Sequence, residues 1–316
     1  MNSSVSVAPA SVGWRLRVVP CNLCGSESYR EMYPGRLELS PDSDIQHMYA
    51  CTSSAYGECG PIVRCTRCGF VYQNPQPDPE CVLTAYENVV DERYAEEREG
   101  RVHTFGRAVD EIEEFATSGR LLDIGSHLGV FVEVARQRGW DAEGVEPSRW
   151  AVDVARGRGL PTTWGTITDL VHAGREYDAL TMWDVIEHLP DPASDLHTMR
   201  RLLRPGGLLA ISTMDVDAAV ARVLGRRWPW YMQMHLWYFS RRTLRRMVEA
   251  AGYEVLEIRR HCRIVRLGYV TEQIEQRLGP LAPIARAVTH SRLGNRLVPV
   301  DLGDIITLYA VSRPES

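Results

Sequence analysis

The sequence predicts an α/β fold: a mostly parallel sheet with helices on both faces, preceded by a small loop-and-hairpin module. Three observations carry this. Strand-like and helix-like segments alternate from Gly119 to about Arg263, the pattern of crossover connections. Leu121 to Ser148 (LLDIGSHLGVFVEVARQRGWDAEGVEPS) reads as a whole β-α-β unit with a glycine turn after its first strand. Six of the eight cysteines lie between residues 14 and 80, where turn formers abound and helical periodicity is slight.

The elements follow in chain order. Residues 1–13 read as a disordered tail, because MNSSVSVAPASV lacks the basic start and apolar core of a signal peptide. The cysteine-rich module spans 14–80, and the prolines of NPQPDPE close it with extended backbone. Residues 81–118 form a helical linker or lid, highly charged in AYENVVDERYAEEREGR and apolar-striped in RAVDEIEEFAT. The core fills 119–316. Its strand candidates are RLLDIG, DAEGVEP, LPTTWG, YDALTMWDV, LLAIST, YEVLEIRRHC and DIITLYAVS, the last returning as an antiparallel edge strand. GVFVEVARQRG, RWAVDVARGRG, PASDLHTMRRLL and SRRTLRRMVEAAG are the intervening helices. An insertion of about 264–303 separates the last two strands and carries no assignable chemistry.

Composition narrows the function classes. The chain of 316 residues suits one large domain plus a small one, and 44% hydrophobic with 24% charged residues is ordinary globular usage. All 36 basic residues are arginine, which reflects a G- and C-rich genome rather than phosphate recognition. A net charge of -5 gives no general attraction to nucleic acid or acidic membrane. No apolar run reaches the roughly 18 residues of a membrane span. The expected location is the cytoplasm, where cysteines serve metals or thiol chemistry before disulfides.

Cys21-x-x-Cys24 and Cys65-x-x-Cys68 stand 40 residues apart, each pair in a turn followed by glycine. Four thiolates satisfy a tetrahedral zinc ion completely, so the expected site is structural and closed. A redox CxxC would open a helix in a thioredoxin-like setting, which is missing. Cys51 and Cys59 are read as small core residues rather than alternative ligands. From Met1 to Glu92 there are six arginines and eleven acids, the wrong sign for a phosphate-binding ribbon. A substrate lid or packing module fits better.

The glycine turn names a cofactor. Dinucleotide sites use G-x-G-x-x-G with one acid about 20 residues on. Here the pattern is D-x-G-x-x-x-G, and an acid ahead of the glycines repels a pyrophosphate but suits a cationic amine. Glu146, at the tip of the next strand, is placed for ribose hydroxyls. S-adenosylmethionine is the ligand that fits. Farther on, YDALTMWDVIEHLPDP sets Trp183 and Asp184 at the carboxyl edge of the fourth strand, where open α/β sheets bind ligands.

DVIEHLPDP after that strand and LRPGG before the next, with the opening motif, resemble class I S-adenosylmethionine-dependent methyltransferases. VRCTRCGFVYQNPQP, and HLWYFSRRTLRRMVEAAGYEV late in the core, resemble bacterial members with an N-terminal zinc ribbon. The resemblance runs from about Cys21 onward and implies a Rossmann-like seven-stranded sheet. It implies that Asp123 and Gly125 shape the pocket for the methionine part of the donor, and that Gly129 lets the helix approach. Glu146 would bind the ribose, Thr166 and Ile167 would lie near the adenine, and Trp183 and Asp184 would close the site. One position departs: the usual middle glycine of the loop is His127, read as an outward-facing turn histidine rather than a cofactor contact.

Methyl transfer is an in-line displacement, in which a base helps only when the acceptor is protonated. Two histidines are placed to serve. His235, in RWPWYMQMHLWYFS, reads equally as a base or as a bonded histidine in an aromatic core. His188 follows Asp184 and Glu187; D-x-x-E-H also resembles a divalent-metal site of quinone-pathway O-methyltransferases, but a helix cap and hinge is the plainer role. The aromatic loop from Trp228 to Tyr238 suggests an apolar or ring-bearing acceptor. The resulting expectation is a methyltransferase acting on oxygen or carbon of a small molecule of specialised metabolism, with no nucleic-acid or membrane partner. An RNA methyltransferase and a non-catalytic scaffold are the alternatives. Related zinc-ribbon C-methyltransferases of deoxysugar nucleotides carry a further C-terminal domain, which argues against a sugar acceptor. The sequence sets no oligomeric state.

Overall fold

The computed structural model describes residues 15–37, 48–53, 57–171, 174–277 and 282–313. The expected tail at 1–13 lies outside them. At the amino end, β1 (Leu16–Arg17) pairs with β5 (Gln76–Pro77), while β2 (Tyr29–Tyr33), β3 (Ile62–Cys65) and β4 (Val71–Gln73) form an antiparallel meander. Gly25 and Gly69 take φ of 69° and 81° just after the two cysteine pairs, the tight knuckles that glycine permits. Helices α1 (Pro79–Glu87) and α2 (Arg98–Glu113) then lead to the core.

The first β-α-β unit folds as its sequence reads. Strand β6 (Arg120–Ile124) buries Leu121, Leu122 and Ile124, as a central parallel strand covered on both faces must. Gly129 caps α3 (Val130–Gln137) at φ 72°, and a Cβ there would meet Leu160 Cδ1 at 2.8 Å. Strand β7 (Asp141–Glu146) follows, and Ser148 caps α4 (Arg149–Gly157) by accepting from the Ala151 N–H. Next come β8 (Thr162–Trp164), α5 (Ile167–Val171), β9 (Tyr177–Trp183), α6 (Pro192–Arg200), β10 (Leu203–Met214) and α7 (Ala219–Leu224). After them come β11 (Trp237–Tyr238), α8 (Arg241–Ala250), β12 (Tyr253–Arg260) and β13 (Arg263–Arg266). Helices α9 (Leu267–Arg277) and α10 (Ala282–Thr289) precede β14 (Leu297–Val300) and β15 (Ile305–Ser312).

The seven-stranded sheet has the order β12-β15-β10-β9-β6-β7-β8, so the expected fold class holds. One detail is corrected. The returning strand β15 is antiparallel, but it is interior, paired with both β10 and β12. Its apolar run IITLYAV suits burial on both faces, whereas the charges of YEVLEIRR suit the edge that β12 occupies.

Two connections tie distant parts of the chain together. Strand β11, from the aromatic loop of the core, adds itself to β4 of the cysteine module, opposing Trp237 to Tyr72 and Tyr238 to Val71. Phe70 stacks on Trp237 with centroids 5.8 Å apart and planes within 3°. The insertion forms an antiparallel pair, β13 on β14, with α9 and α10 between them in the chain, and β13 docks on α2. There the Ile264 N–H donates to Thr104 Oγ1 at 2.8 Å, and only a glycine fits at position 100.

Candidate active site

Along the carboxyl edge of the sheet lies a cavity of about 530 Å³, within the roughly 300–1,000 Å³ of small-molecule sites. Eight of the ten residues given a cofactor or catalytic role in the sequence line it: Gly125, Glu146, Thr166, Ile167, Trp183, Asp184, His188 and His235. Asp123 and Gly129 stand behind the wall. Asp123 is buried and accepts from Thr181 Oγ1 at 2.7 Å; Gly129 serves the helix packing described above.

The wall beside the first strand is polar and tightly held. Both oxygens of Glu146 accept backbone N–H groups, from Ser148 and His127, each at 2.8 Å. Gly125 must be glycine: at φ 69° an added Cβ would lie 2.6 Å from Val185 Cγ2. Thr166 is fixed by Asp169, whose Oδ2 accepts from its N–H at 2.8 Å. Burial, with Glu146 adding repulsion, pushes the Asp123 carboxyl up to about 8, and burial pushes the Glu146 carboxyl up to about 7.

His127 overturns its expectation. It holds φ 47° yet turns inward, 8% exposed, its ring 3.8 Å from that of Tyr94. Burial, with Arg101 adding repulsion, lowers its pKa to about 3, so the imidazole is neutral. Neither ring nitrogen has a hydrogen-bond partner among the described residues, nor has the buried indole N–H of Trp183. Buried polar atoms are ordinarily paired, so this wall is shaped for a polar ligand. Tyr94 and Arg101, which stack at 3.6 Å, were not singled out in the sequence beyond the lid that contains them. Cys51 also departs from expectation: it is exposed and lines the cavity, while Cys59 is a core residue as read.

The far wall is apolar, formed by Leu189, Met214, Trp230, Met232 and Met234, with two imidazoles set in it. The His188 and His235 ring centroids lie 4.8 Å apart. His235 Nδ1 faces the Trp230 carbonyl at 2.7 Å and His188 Nδ1 faces that of Met234 at 3.0 Å. A carbonyl only accepts, so each Nδ1 carries the proton and each Nε2 keeps its lone pair. Burial lowers both pKa values, that of His235 to about 3 with His188 adding repulsion. Behind them Glu187 accepts from Thr213 Oγ1 at 2.8 Å, and burial pushes its carboxyl up to about 8. His188 therefore faces the cavity, and it is His235, not Asp184, that converges on Glu187 and His188 within 4.8 Å.

Asp184 is occupied otherwise. Held at φ 57°, it accepts from Ser212 Oγ at 2.9 Å and forms an ion pair with Arg263 of the insertion. Burial would raise its pKa, but Arg263 and His261 outweigh this and hold it below the ordinary range. Thus the insertion supplies a cation to the site. The aromatic loop has a second anchor that the sequence did not reveal. The indole N–H groups of Trp228 and Trp230 both donate to Asp304 Oδ2 at 3.0 Å.

Away from the cavity, the sulfurs of Cys21, Cys24, Cys65 and Cys68 lie within 4.8 Å of one another. The Cys21–Cys68 and Cys24–Cys65 separations are 3.4 and 3.6 Å. Zinc–sulfur bonds of about 2.3 Å in a tetrahedron set sulfurs roughly 3.8 Å apart, so the donor set fits that ion. No helix of the described residues is long and apolar enough to cross a membrane.

Comparison with known proteins agrees with this geometry. The family model described as a methyltransferase domain matches residues 94–258, just over half of the 316-residue chain. The ubiquinone biosynthesis O-methyltransferase of Aeromonas salmonicida (strain A449) is 31% identical over 153 residues, 44% of this chain and 64% of that protein. The chain thus spans less than two thirds of the length of this curated relative. Two solved structures are more distant. The 4+2 cyclase SpnF has a TM-score of 0.45 at 21% identity, over 66% of this chain and 81% of that one. Phosphoethanolamine N-methyltransferase 2 of Haemonchus contortus, in complex with S-adenosyl-L-methionine, has 0.42 at 16%, over 66% and 52%. The chain belongs to the methyltransferase domain family.

Proposed function

From that membership we propose that the protein is an S-adenosylmethionine-dependent methyltransferase of a small apolar acceptor, an intermediate of specialised metabolism. The observation that carries the reading is one cavity running from the backbone-held Glu146 and the glycine turn to a pair of neutral imidazoles. The O-methyltransferase relatives support oxygen as the accepting atom, with an activated carbon as the other choice. The acidic cysteine module disfavours an RNA acceptor.

When bound, S-adenosylmethionine supplies an electrophilic methyl carbon on a sulfonium. In this reading Glu146, fixed by two N–H groups, accepts from ribose hydroxyls, and Thr166 and Ile167 border the base. Asp123 provides the carboxylate for the ammonium side of the donor, steadied by Thr181. The unpaired nitrogens of His127 and the guanidinium of Arg101 suit the carboxylate of the same moiety. Trp183 and Asp184 close the wall between donor and acceptor.

On the other side, the methionine and tryptophan surface excludes water and aligns a flat acceptor, and positioning supplies much of the acceleration. His235 Nε2 takes the acceptor's proton, with His188 beside it as the second base. Their low pKa values keep both unprotonated, ready to accept, across neutral pH. The four cysteines hold a structural zinc with no open position for substrate.

The test is a screen of phenolic, hydroxylated and carbon-acid acceptors with S-adenosylmethionine, read as S-adenosylhomocysteine formed. Turnover should appear with an apolar acceptor, and His235→Ala should lower it by about 100-fold. Turnover untouched in that variant across pH would make His235 a packing residue.

A further inference from the structure

The cysteine module grips the aromatic loop that carries His235 through one buried side chain. Gln73, the last residue of β4, is wholly buried. Its Nε2 donates to three main-chain carbonyls of the aromatic loop: Met232 at 2.9 Å, Gln233 at 3.0 Å and His235 at 2.6 Å. Its Oε1 accepts from the Gly60 N–H at 2.9 Å, inside the module. An amide has two N–H protons, so three converging carbonyls share them, and the loop is drawn round this one nitrogen. The backbone continues the contact, the Gln73 N–H donating to the Leu236 carbonyl at 2.9 Å, and Gln76 Nε2 donates to that carbonyl at 3.1 Å. Beyond His235 the loop becomes β11 and pairs with β4 itself.

Without Gln73 the buried Gln233 and His235 carbonyls would lose their side-chain donor, whereas the Met232 carbonyl keeps the His235 N–H at 3.1 Å and the Tyr238 hydroxyl at 3.4 Å. Asp304, under Trp228 and Trp230, is the side-chain anchor of the loop's first half. Main-chain bonds from the Gly57 N–H to the Tyr231 carbonyl, and from the Leu236 and Trp237 N–H groups to the Glu187 carbonyl, add to it. His235 lies between the two anchors. Its Nδ1 binds the Trp230 carbonyl on the Asp304 side, and its own carbonyl binds Gln73. The ring's tautomer and aim therefore depend on the Trp230 carbonyl on one side and on the Gln73 clasp on the other.

We propose that Gln73 is a positioning residue for His235, the group through which β4 of the cysteine module sets the acceptor half of the cavity. This rests on the reading of His235 as the acceptor-side base. The donor-side residues Asp123, Glu146 and His127 make no hydrogen bond to Gln73 among those described.

The experiment uses the full zinc-loaded chain with Gln73→Met, which keeps the volume and removes the donations. Two readouts need no acceptor: the nitrogen NMR signature of the His235 tautomer, and hydrogen exchange over 232–238. Wild type should show one tautomer with the proton on Nδ1. In Gln73→Met the signature should become mixed, and exchange in the loop should quicken by on the order of tenfold per lost bond. Affinity for S-adenosylmethionine should stay within about threefold. Should that variant not fold, Gln73→Asn keeps an amide one methylene short and should give a smaller change of the same kind. An unchanged tautomer and unchanged exchange in whichever variant folds would overturn the proposal. Failure of wild type to bind S-adenosylmethionine would instead overturn the donor-site reading and leave these two readouts standing.

Discussion

The two halves of the cavity are built in opposite ways. The donor half comes mostly from Ile124 to Thr168, one strand-turn-helix-strand passage and the turns that follow it. The acceptor half is gathered from everywhere. His235 is held by Gln73, 162 positions earlier, its neighbours Trp228 and Trp230 by Asp304 more than 70 positions later, and Asp184 by Arg263 of the insertion. A site made from contiguous chain carries its geometry in local turn chemistry. A site made from distant segments depends on buried polar clasps, and single substitutions far from the cavity should disturb it.

The sharpest way to break this comparison is Asp304→Ala. It removes the acceptor shared by the indole N–H groups of buried Trp228 and half-buried Trp230, at about 1–3 kcal/mol each. Denaturant unfolding should show a loss of about 2–5 kcal/mol, while the donor affinity of the folded fraction stays nearly unchanged. A large fall in donor affinity would mean that the halves are not separable.

The next effect is on pH. Burial raises both donor-side carboxyls, so the ligand-free pocket holds protons at pH 7. Their folded values lie above the unfolded ones, so the folded state binds the extra protons and the ligand-free protein loses stability as pH climbs from about 4 towards 8. A cationic donor lowers the pKa of Asp123 and releases its proton. Donor affinity should therefore rise with pH by up to about tenfold per unit and flatten above about 8. Calorimetry in buffers of different ionisation enthalpy measures that release; none at pH 7 would deny the pairing of Asp123 with a cation.

The smallest effect belongs to His127→Gly. Glycine relieves the positive φ, worth roughly 1–2 kcal/mol, but loses the packing on Tyr94 and adds freedom to the unfolded chain. The melting temperature should move little, and donor affinity should fall a few-fold. Unaltered affinity would reduce His127 to a filler of the turn.

The same contrast explains what the sequence revealed. The strand tips, the glycine turn and the two cysteine pairs were legible because their spacing is local and each residue type has one physical reason to be there. The interior place of β15 was legible too, had the uncharged, mostly apolar IITLYAV been weighed against the charged YEVLEIRR. Gln73, Asp304 and Arg263 were not, since each looks like an ordinary polar residue until its distant partner is known. The inward turn of His127 was hidden for another reason: a positive φ says that the backbone is unusual, not which way the side chain leaves it.

The central claim is that the glycine turn and its two carboxylates bind S-adenosylmethionine. Isothermal titration of the zinc-loaded protein with S-adenosylmethionine tests it directly, beside Asp123→Ala. Wild type should bind one equivalent, and the variant, still folded by circular dichroism, should bind at least about 100-fold more weakly, as loss of a buried charge partner requires. No binding by wild type, or equal binding by the variant, would contradict it.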